Sequence, residues 1–442
     1  MEASTLRRAV WSLSLPLLFL EVSEALLHFI DTAFLAQIGT AELGAIALGD
    51  TTLELLVFPV VGLLDALQLV IARRVGERRR QDVGAVFARA FMVAALASVA
   101  LAVVVWLGAA EMGSWLADSE QVARSLERYF EIAAFGVPFM VLNFAYGALF
   151  VGLLRARVLV WATTVLVASN LVLSYTFILG NFGAPRLGMQ GAAISFVGAE
   201  TLTFVMLTVY TMRRAELRGL GLFWPRPTRQ PVLRPLMRLS APVALQGLVE
   251  DARWFVFFVI IARVGDDMLA WSNVIFACYL VLMIPTDALS EAAYTMVSNV
   301  IGSGHAERWR AVVRRTMRTT FAMTAPLLIA ATAFPDWVLS LFSSEGAPVD
   351  GAATALRVVA VAMLVVIPAE LWMSALLGTG DADAAFLIEL VLSVAIVMGA
   401  AAAAVLDVAL PLLWLSLPAA ALMALILSYA RLRTERWRYR TI

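Results

Sequence analysis

Twelve apolar runs divide this sequence, each close to the roughly 20 residues that an α-helix needs to cross a bilayer. They fall at about 10–37, 44–72, 84–110, 122–151, 158–180, 189–212, 236–264, 270–300, 311–335, 350–378, 383–405 and 409–432. The connections are mostly short and leave no room for a sizeable soluble domain. A chain in lipid must satisfy its backbone polar groups internally, which restricts it to helices or a closed barrel. These runs are too long and too evenly apolar for barrel strands. The expected fold is an all-α polytopic membrane protein with twelve transmembrane helices. Composition agrees: 62% of residues are hydrophobic, 15% are charged and the mean hydropathy is +0.86. A soluble domain has about 45–50% and about 25%. The stretch after Arg7 and Arg8 is too long and too acidic for a cleavable signal, so it is expected to remain as the first span.

All 33 basic residues are Arg, which excludes Schiff-base chemistry on a lysine. Formal charge is zero, so nothing points to a nucleic-acid partner. The lone Cys278 has no disulfide partner in the chain and reads as a buried small hydrophobe. With two histidines and one cysteine, no zinc or haem site is expected, nor any other cofactor. The arginines also orient the chain. With the N-terminus inside, 26 lie on the cytoplasmic side and five (Arg124, Arg128, Arg186, Arg263 and Arg357) on the other, which is acidic instead. The positive-inside rule then puts both termini in the cytoplasm; a basic set of arginine alone suits a GC-rich bacterial genome, so the expected location is a bacterial cytoplasmic membrane.

The two halves repeat. At an offset of 226, Leu13-Ser14-Leu15-Pro16 falls on Leu239-Ser240-Ala241-Pro242, Glu24 on Glu250, Gly39 on Gly265 and Pro59 on Pro285. Asp65 falls on Glu291, Gly76 on Gly302, Arg89 on Arg315 and Gly152 on Gly378. Recurring prolines, glycines and acids carry more weight than recurring apolar residues in such a sequence. Six spans per half is an even number, so the halves enter the membrane in the same direction, as a parallel repeat. The expected organisation is an N-terminal lobe at 1–212, a cytoplasmic linker at 213–235 and a C-terminal lobe at 236–442. The linker holds Pro225, Pro227, Pro231 and Pro235 and is not one helix.

Ionisable groups at membrane depth are costly and normally face a bundle interior or a water-filled cavity. In the first span Glu21, Glu24, His28 and Asp31 are spaced three, four and three apart, on one helical face. Glu54 and Asp65 share a face of the second span, and Glu200 lies in the sixth. The seventh span carries Glu250, Asp251 and Arg253, the eighth Asp287 and Glu291, the tenth Glu370 and the eleventh Glu389. This acid excess suits proton or sodium coupling and a cationic or zwitterionic substrate. Plainer readings stand beside it. Asp251 and Arg253 form an internal pair or face different helices. Glu200, Asp65 and Glu389 are hydrated near an interface, and His28 hydrogen-bonds Glu24 or Asp31 rather than a metal. The interior prolines Pro16, Pro59, Pro138, Pro242, Pro285 and Pro368 are tolerated kinks.

Ile30-Asp31-Thr32 followed by Gly39, with Pro16 upstream, resembles the first-helix signature of the multidrug and toxic compound extrusion (MATE) transporters. Gly188-Met189-Gln190-Gly191-Ala192-Ala193 before the sixth span and Leu377-Gly378-Thr379-Gly380-Asp381 after the tenth fit the same family. The resemblance implies a V-shaped pair of six-helix lobes that alternate between outward- and inward-open states. It implies efflux of organic compounds in exchange for H⁺ or Na⁺. It assigns ion coupling to Asp31, with Asn170 in the fifth span; the acid expected four residues further on is Ser174 here. A sodium ion held near Asp31 and Asn170 therefore lacks the second carboxylate, and H⁺ is favoured, with Glu24 and His28 compensating. The Glu eight residues after the seventh-span proline is matched by Glu250. After the fourth span Gly152-Leu153-Leu154-Arg155-Ala156-Arg157 departs from the family's Arg-Gly-x-x-Asp pattern.

The expected function is export of small organic compounds by a secondary active antiporter, a monomer in membrane lipid. Glu250, Asp251, Glu54, Asp65, Asp287, Glu291 and Glu370 are the candidates for substrate or a second proton. One rival is a lipid or oligosaccharide flippase, disfavoured by the acidic interior. The other is an intramembrane enzyme, for which no HExxH or comparable motif is present.

Overall fold

The computed structural model describes residues 3–35, 40–223, 233–341, 351–406 and 409–439. They are helical, with no strand among them. The first half runs α1 (Ala3–Leu35), α2 (Thr40–Gly76), α3 (Arg80–Leu107), α4 (Ala109–Leu116), α5 (Glu120–Ala133), α6 (Val137–Gly152), α7 (Arg157–Phe177) and α8 (Met189–Arg213). A short α9 (Ala215–Arg218) precedes α10 (Leu233–Ala262), α11 (Asp266–Gly302), α12 (Trp309–Ala333), α13 (Pro335–Ser340) and α14 (Ala352–Thr379). The chain closes with α15 (Ala382–Val405), α16 (Leu410–Trp414) and α17 (Ser416–Arg433).

Within the described residues every expected span falls on helix; residues 36, 37 and 350, at the ends of two expected spans, lie outside them. Among the described residues nine segments are long and apolar enough to cross a membrane unaided, and α5 with α6 makes a tenth, bent by 55°. The other two are charged. α10 carries Glu250, Asp251 and Arg253 in its middle, and α12 opens with Arg310, Arg314, Arg315 and Arg318. The bend between α5 and α6 corrects the expectation of one helix through Pro138. That residue starts α6 instead, because a proline without an N–H fits a helix start better than its interior. Pro16, Pro59, Pro242, Pro285 and Pro368 do lie inside helices, and Cys278 is buried as a free thiol.

The repeat extends to packing. Gly152 of α6 lies against Gln68 and Ile71 of α2, with the Gln68 carbonyl 3.0 Å from where a Cβ would stand. Gly378 of α14 lies against Tyr294 and Val297 of α11, with the Tyr294 carbonyl at 2.7 Å. All three pairs of positions differ by 226. The turns match as well. Arg78 and Gly304 both have left-handed φ, +60° and +77°, and so do Leu154 and Gly380, +58° and +89°.

The chain forms two compact units, one of Met1–Leu18 with Leu245–Ile442 and one of Phe19–Ala244. The divisions do not fall at the linker. They cut α1 two residues after Pro16 and α10 two residues after Pro242, again at the offset of 226. A proline removes the hydrogen bond to the carbonyl four residues back and weakens the helix at that point. Within the unit Phe19–Ala244 the core is ring-rich, with Phe87, Tyr146 and Phe150 fully buried. In the other unit Trp254, Phe257, Phe258, Phe276, Tyr279 and Trp414 form a continuous aromatic cluster.

Candidate functional site

Among the described residues a polar cluster is built by α10, α14 and α15. Arg253 of α10 is 5% exposed. Its Nη1 donates to the carboxylate of Glu389 on α15 and, at 3.3 Å, to Ser393 Oγ one turn along. Its Nη2 donates to Glu250 Oε1 at 3.3 Å. Ser393 Oγ donates in turn to Glu389 Oε1 at 3.3 Å. The guanidinium lies 5.4 Å from the Trp254 ring centre, which joins the cluster to the aromatic group. Glu370 of α14 is within electrostatic reach of Glu250, Glu389 and Arg253, and Tyr279 of α11 within reach of Glu370 and Arg253. Two carboxylates thus bond one guanidinium, and a third lies within electrostatic reach of it. Ionisable groups gathered at membrane depth mark this cluster as the candidate site.

Sequence spacing finds Glu250, Arg253, Glu370 and Glu389 but not their arrangement. The alternative of a hydrated, interfacial Glu389 is corrected: it is 4% exposed and paired with Arg253. Arg253 bonds acids on another helix and one turn back, not the neighbouring Asp251, because residues two apart on a helix point in different directions. Asp251 and Asp287 are exposed, and Glu291 is half-buried. Ser393, one turn from Glu389, and Tyr279, beside Cys278, carry no sequence signal of their own.

In the unit Phe19–Ala244 the described polar groups include several separate pairs. Asn143 Nδ2 of α6 donates to Glu200 Oε2 of α8 at 2.7 Å and to the Glu200 carbonyl at 3.0 Å. Glu24 is exposed and within electrostatic reach of Glu200, and Glu21 is half-buried. Tyr129 of α5 donates to Asp50 of α2, an acid that the sequence reading passed over although it lies one turn from Glu54. Glu54 is exposed and Asp65 half-buried. Eleven residues of helix separate them by about 16 Å, so a shared face does not make them one site. Ser174 Oγ donates to Asn170 Oδ1 at 3.3 Å inside α7, and both are buried. The side chains of His28 and Asp31 lie outside the described residues. Among the described residues no three of His, Cys, Asp and Glu are arranged to hold a metal ion.

At the arginine-rich ends, the turns after α6 and α14 are each clipped to a later segment, with opposite polarity. Arg155 pairs with Glu216 of α9 and holds its carboxyl below the usual carboxylate range, by hydrogen bonding and by charge. At the equivalent position Asp381, fully buried, accepts a 2.8 Å bond from Arg431 Nε of α17.

Comparison with known proteins agrees with this architecture. The MatE family model matches twice, over residues 16–176 and 242–402, the same offset of 226 that the sequence shows internally. A probable multidrug resistance protein NorM of Neisseria meningitidis is 22% identical over 351 residues, covering 79% of this chain and 76% of the relative. One from Aromatoleum aromaticum is 27% identical, covering 75% and 72%. Multidrug resistance protein MdtK of Pectobacterium atrosepticum is 23% identical, covering 76% and 74%. A crystal structure of MATE in the straight conformation superposes with a TM-score of 0.89 at 17% identity, covering 98% of this chain and 97% of that one. An outward-facing MATE family transporter gives 0.86 at 17% identity, covering 99% and 97%. With the family model spanning both halves and the fold shared from end to end, this multi-pass membrane protein belongs to the MatE family.

Proposed function

We propose that the protein exports small organic cations or zwitterions from the cytoplasm in exchange for protons, by alternating access of its two lobes. The observation that carries this reading is the cluster of Glu250, Glu370 and Glu389 around Arg253, against the aromatic wall of Trp254, Phe276 and Tyr279. Carboxylates supply charge for a cation or sites for protons. Aromatic faces attract organic cations as well as apolar bodies. The relatives carry multidrug resistance names, which fits broad recognition by such a surface. Glu250 and Glu370 hold substrate or exchange a proton in competition with it, while Arg253 and Glu389 fix the wall on which they stand. Asp31 of α1 exchanges the second proton, and both termini are cytoplasmic.

The test is efflux of a cationic dye from proteoliposomes under a proton gradient or a sodium gradient, imposed separately. Efflux is expected with the proton gradient alone. Glu250→Gln is expected to lower the rate and weaken dye binding, and Asp31→Asn to abolish gradient-driven efflux while dye still binds. Undiminished pH-driven efflux in Asp31→Asn would sink its assignment. Transport driven only by sodium would overturn the proton reading.

A further inference from the structure

In the unit that contains the C-terminal half, a groove of about 400 Å³ opens at the arginine-rich ends of α12, α14 and α17. Its rim carries Arg310, Arg314 and Arg433, and its walls Trp309, Trp372 and Tyr429. The three guanidinium groups are exposed and, among the described residues, none forms an ion pair with a carboxylate. Arg310 and Arg433 instead lie over rings, 5.4 Å from Trp309 and 5.5 Å from Tyr429. The ring edges interlock, with Trp372 centred 5.5 Å from Trp309 and 4.9 Å from Tyr429.

The other half of the repeat shows what this groove lacks. At an offset of 226, Arg310 and Arg314 become Gly84 and Ala88, while Val313, Met317 and Trp372 become Phe87, Phe91 and Tyr146. Those rings pack together, Tyr146 centred 6.0 Å from Phe87 and 5.7 Å from Phe91. The carbonyl of Leu220 sits on Gly84 so closely that a Cβ there would collide with it. The first half therefore fills the position with its own side chains and backbone. At the same offset Tyr429 and Arg433 become Thr203 and Leu207, so the first half has neither the ring nor the charge there. The second half leaves space and adds three positive charges at its mouth.

We propose that this groove binds the headgroup of an anionic phospholipid, with its phosphate between Arg310, Arg314 and Arg433. Unpaired arginines at the end of a membrane bundle match a phosphodiester, which guanidinium groups bind through paired N–H donors. Tryptophan and tyrosine are the side chains that sit at headgroup level. Below the groove α17 continues as a ladder of exposed Tyr429, Ile426 and Leu422, spaced three and four residues apart. That stripe offers an acyl chain a path away from the phosphate, which a soluble anion would not use.

The test is native mass spectrometry of the full chain in detergent, titrated with phosphatidylglycerol or phosphatidylcholine. Inorganic phosphate and glycerol phosphate serve as soluble competitors. The wild type is expected to retain phosphatidylglycerol in preference to phosphatidylcholine. Removing the charges in R310Q/R314Q/R433Q is expected to cut that affinity about tenfold or more. V313F/M317F keeps every arginine and fills the groove as the first half does; it is expected to lose the same preference with its unfolding temperature preserved. Phosphatidylglycerol binding that survives in V313F/M317F overturns the site. Displacement by phosphate or glycerol phosphate at equal concentration overturns the lipid in favour of a soluble anion.

Discussion

Arg253 is held by two acids from two helices, and almost none of it reaches the surface. Removing one partner of a buried pair leaves the other charge uncompensated, at a cost of about 3–5 kcal/mol. Arg253→Ala is therefore expected to destabilise the protein by that much, read as a fall in unfolding temperature in detergent. R253M/E389L, which replaces the pair with apolar groups of similar size, is expected to recover most of the stability but not transport. The sequence shows both residues yet not the pair, because 136 positions separate them and only the packing of α10 on α15 joins them. Two other residues were legible in no pattern. Arg78 and Leu154 occupy left-handed backbone where their repeat partners are Gly304 and Gly380. A side chain in that conformation costs about 1–2 kcal/mol, less what glycine loses through its freer unfolded chain. Arg78→Gly and Leu154→Gly are each expected to raise stability slightly, by about 0.5–1 kcal/mol, measured by thermal unfolding.

At the scale of elements, the span boundaries were readable because lipid imposes a length and a composition on any helix that crosses it. What resisted reading were places where two adjacent helices replace one. The bend between α5 and α6 follows from Gly136 and Pro138 together: a Cβ at Gly136 would meet the Phe196 ring at 2.5 Å, so the chain approaches α8 closely just where the helix is broken. Pro16, Pro59, Pro242, Pro285 and Pro368 left the helix continuous whereas Pro335 begins α13, so proline alone did not distinguish a break from a kink. In α1 and α10 the proline does mark a boundary, since each helix passes from one compact unit to the other two residues later. Pro16→Ala and Pro242→Ala restore a backbone donor at that point. Each is expected to raise the unfolding temperature and to slow dye efflux by about tenfold, equivalent to about 1.4 kcal/mol in the barrier. Unchanged efflux in both variants would show that the two helices do not flex there.

For the whole molecule, the repeat was the most informative signal in the sequence. It recurs in glycine contacts, in turn geometry and in the two matches to the family model. The departures from it were less visible, since they depend on which side chains fill a shared position. Arg155 with Glu216 and Asp381 with Arg431 hold equivalent turns by opposite charges. The acid cluster belongs to one unit only, as does the open groove. The crossing of α1 and α10 has a further consequence, for heredity as much as for folding. A gene cut within the linker would yield two polypeptides, neither encoding a complete unit, because each unit takes its opening helical segment from the opposite half. The fragments 1–226 and 227–442 are expected to be degraded when expressed singly and to reconstitute efflux when co-expressed, scored by dye transport and co-purification. Once such halves had fused, neither could be lost or replaced without dismantling the other, so the interlock would have preserved the tandem chain while its two copies drifted apart in sequence.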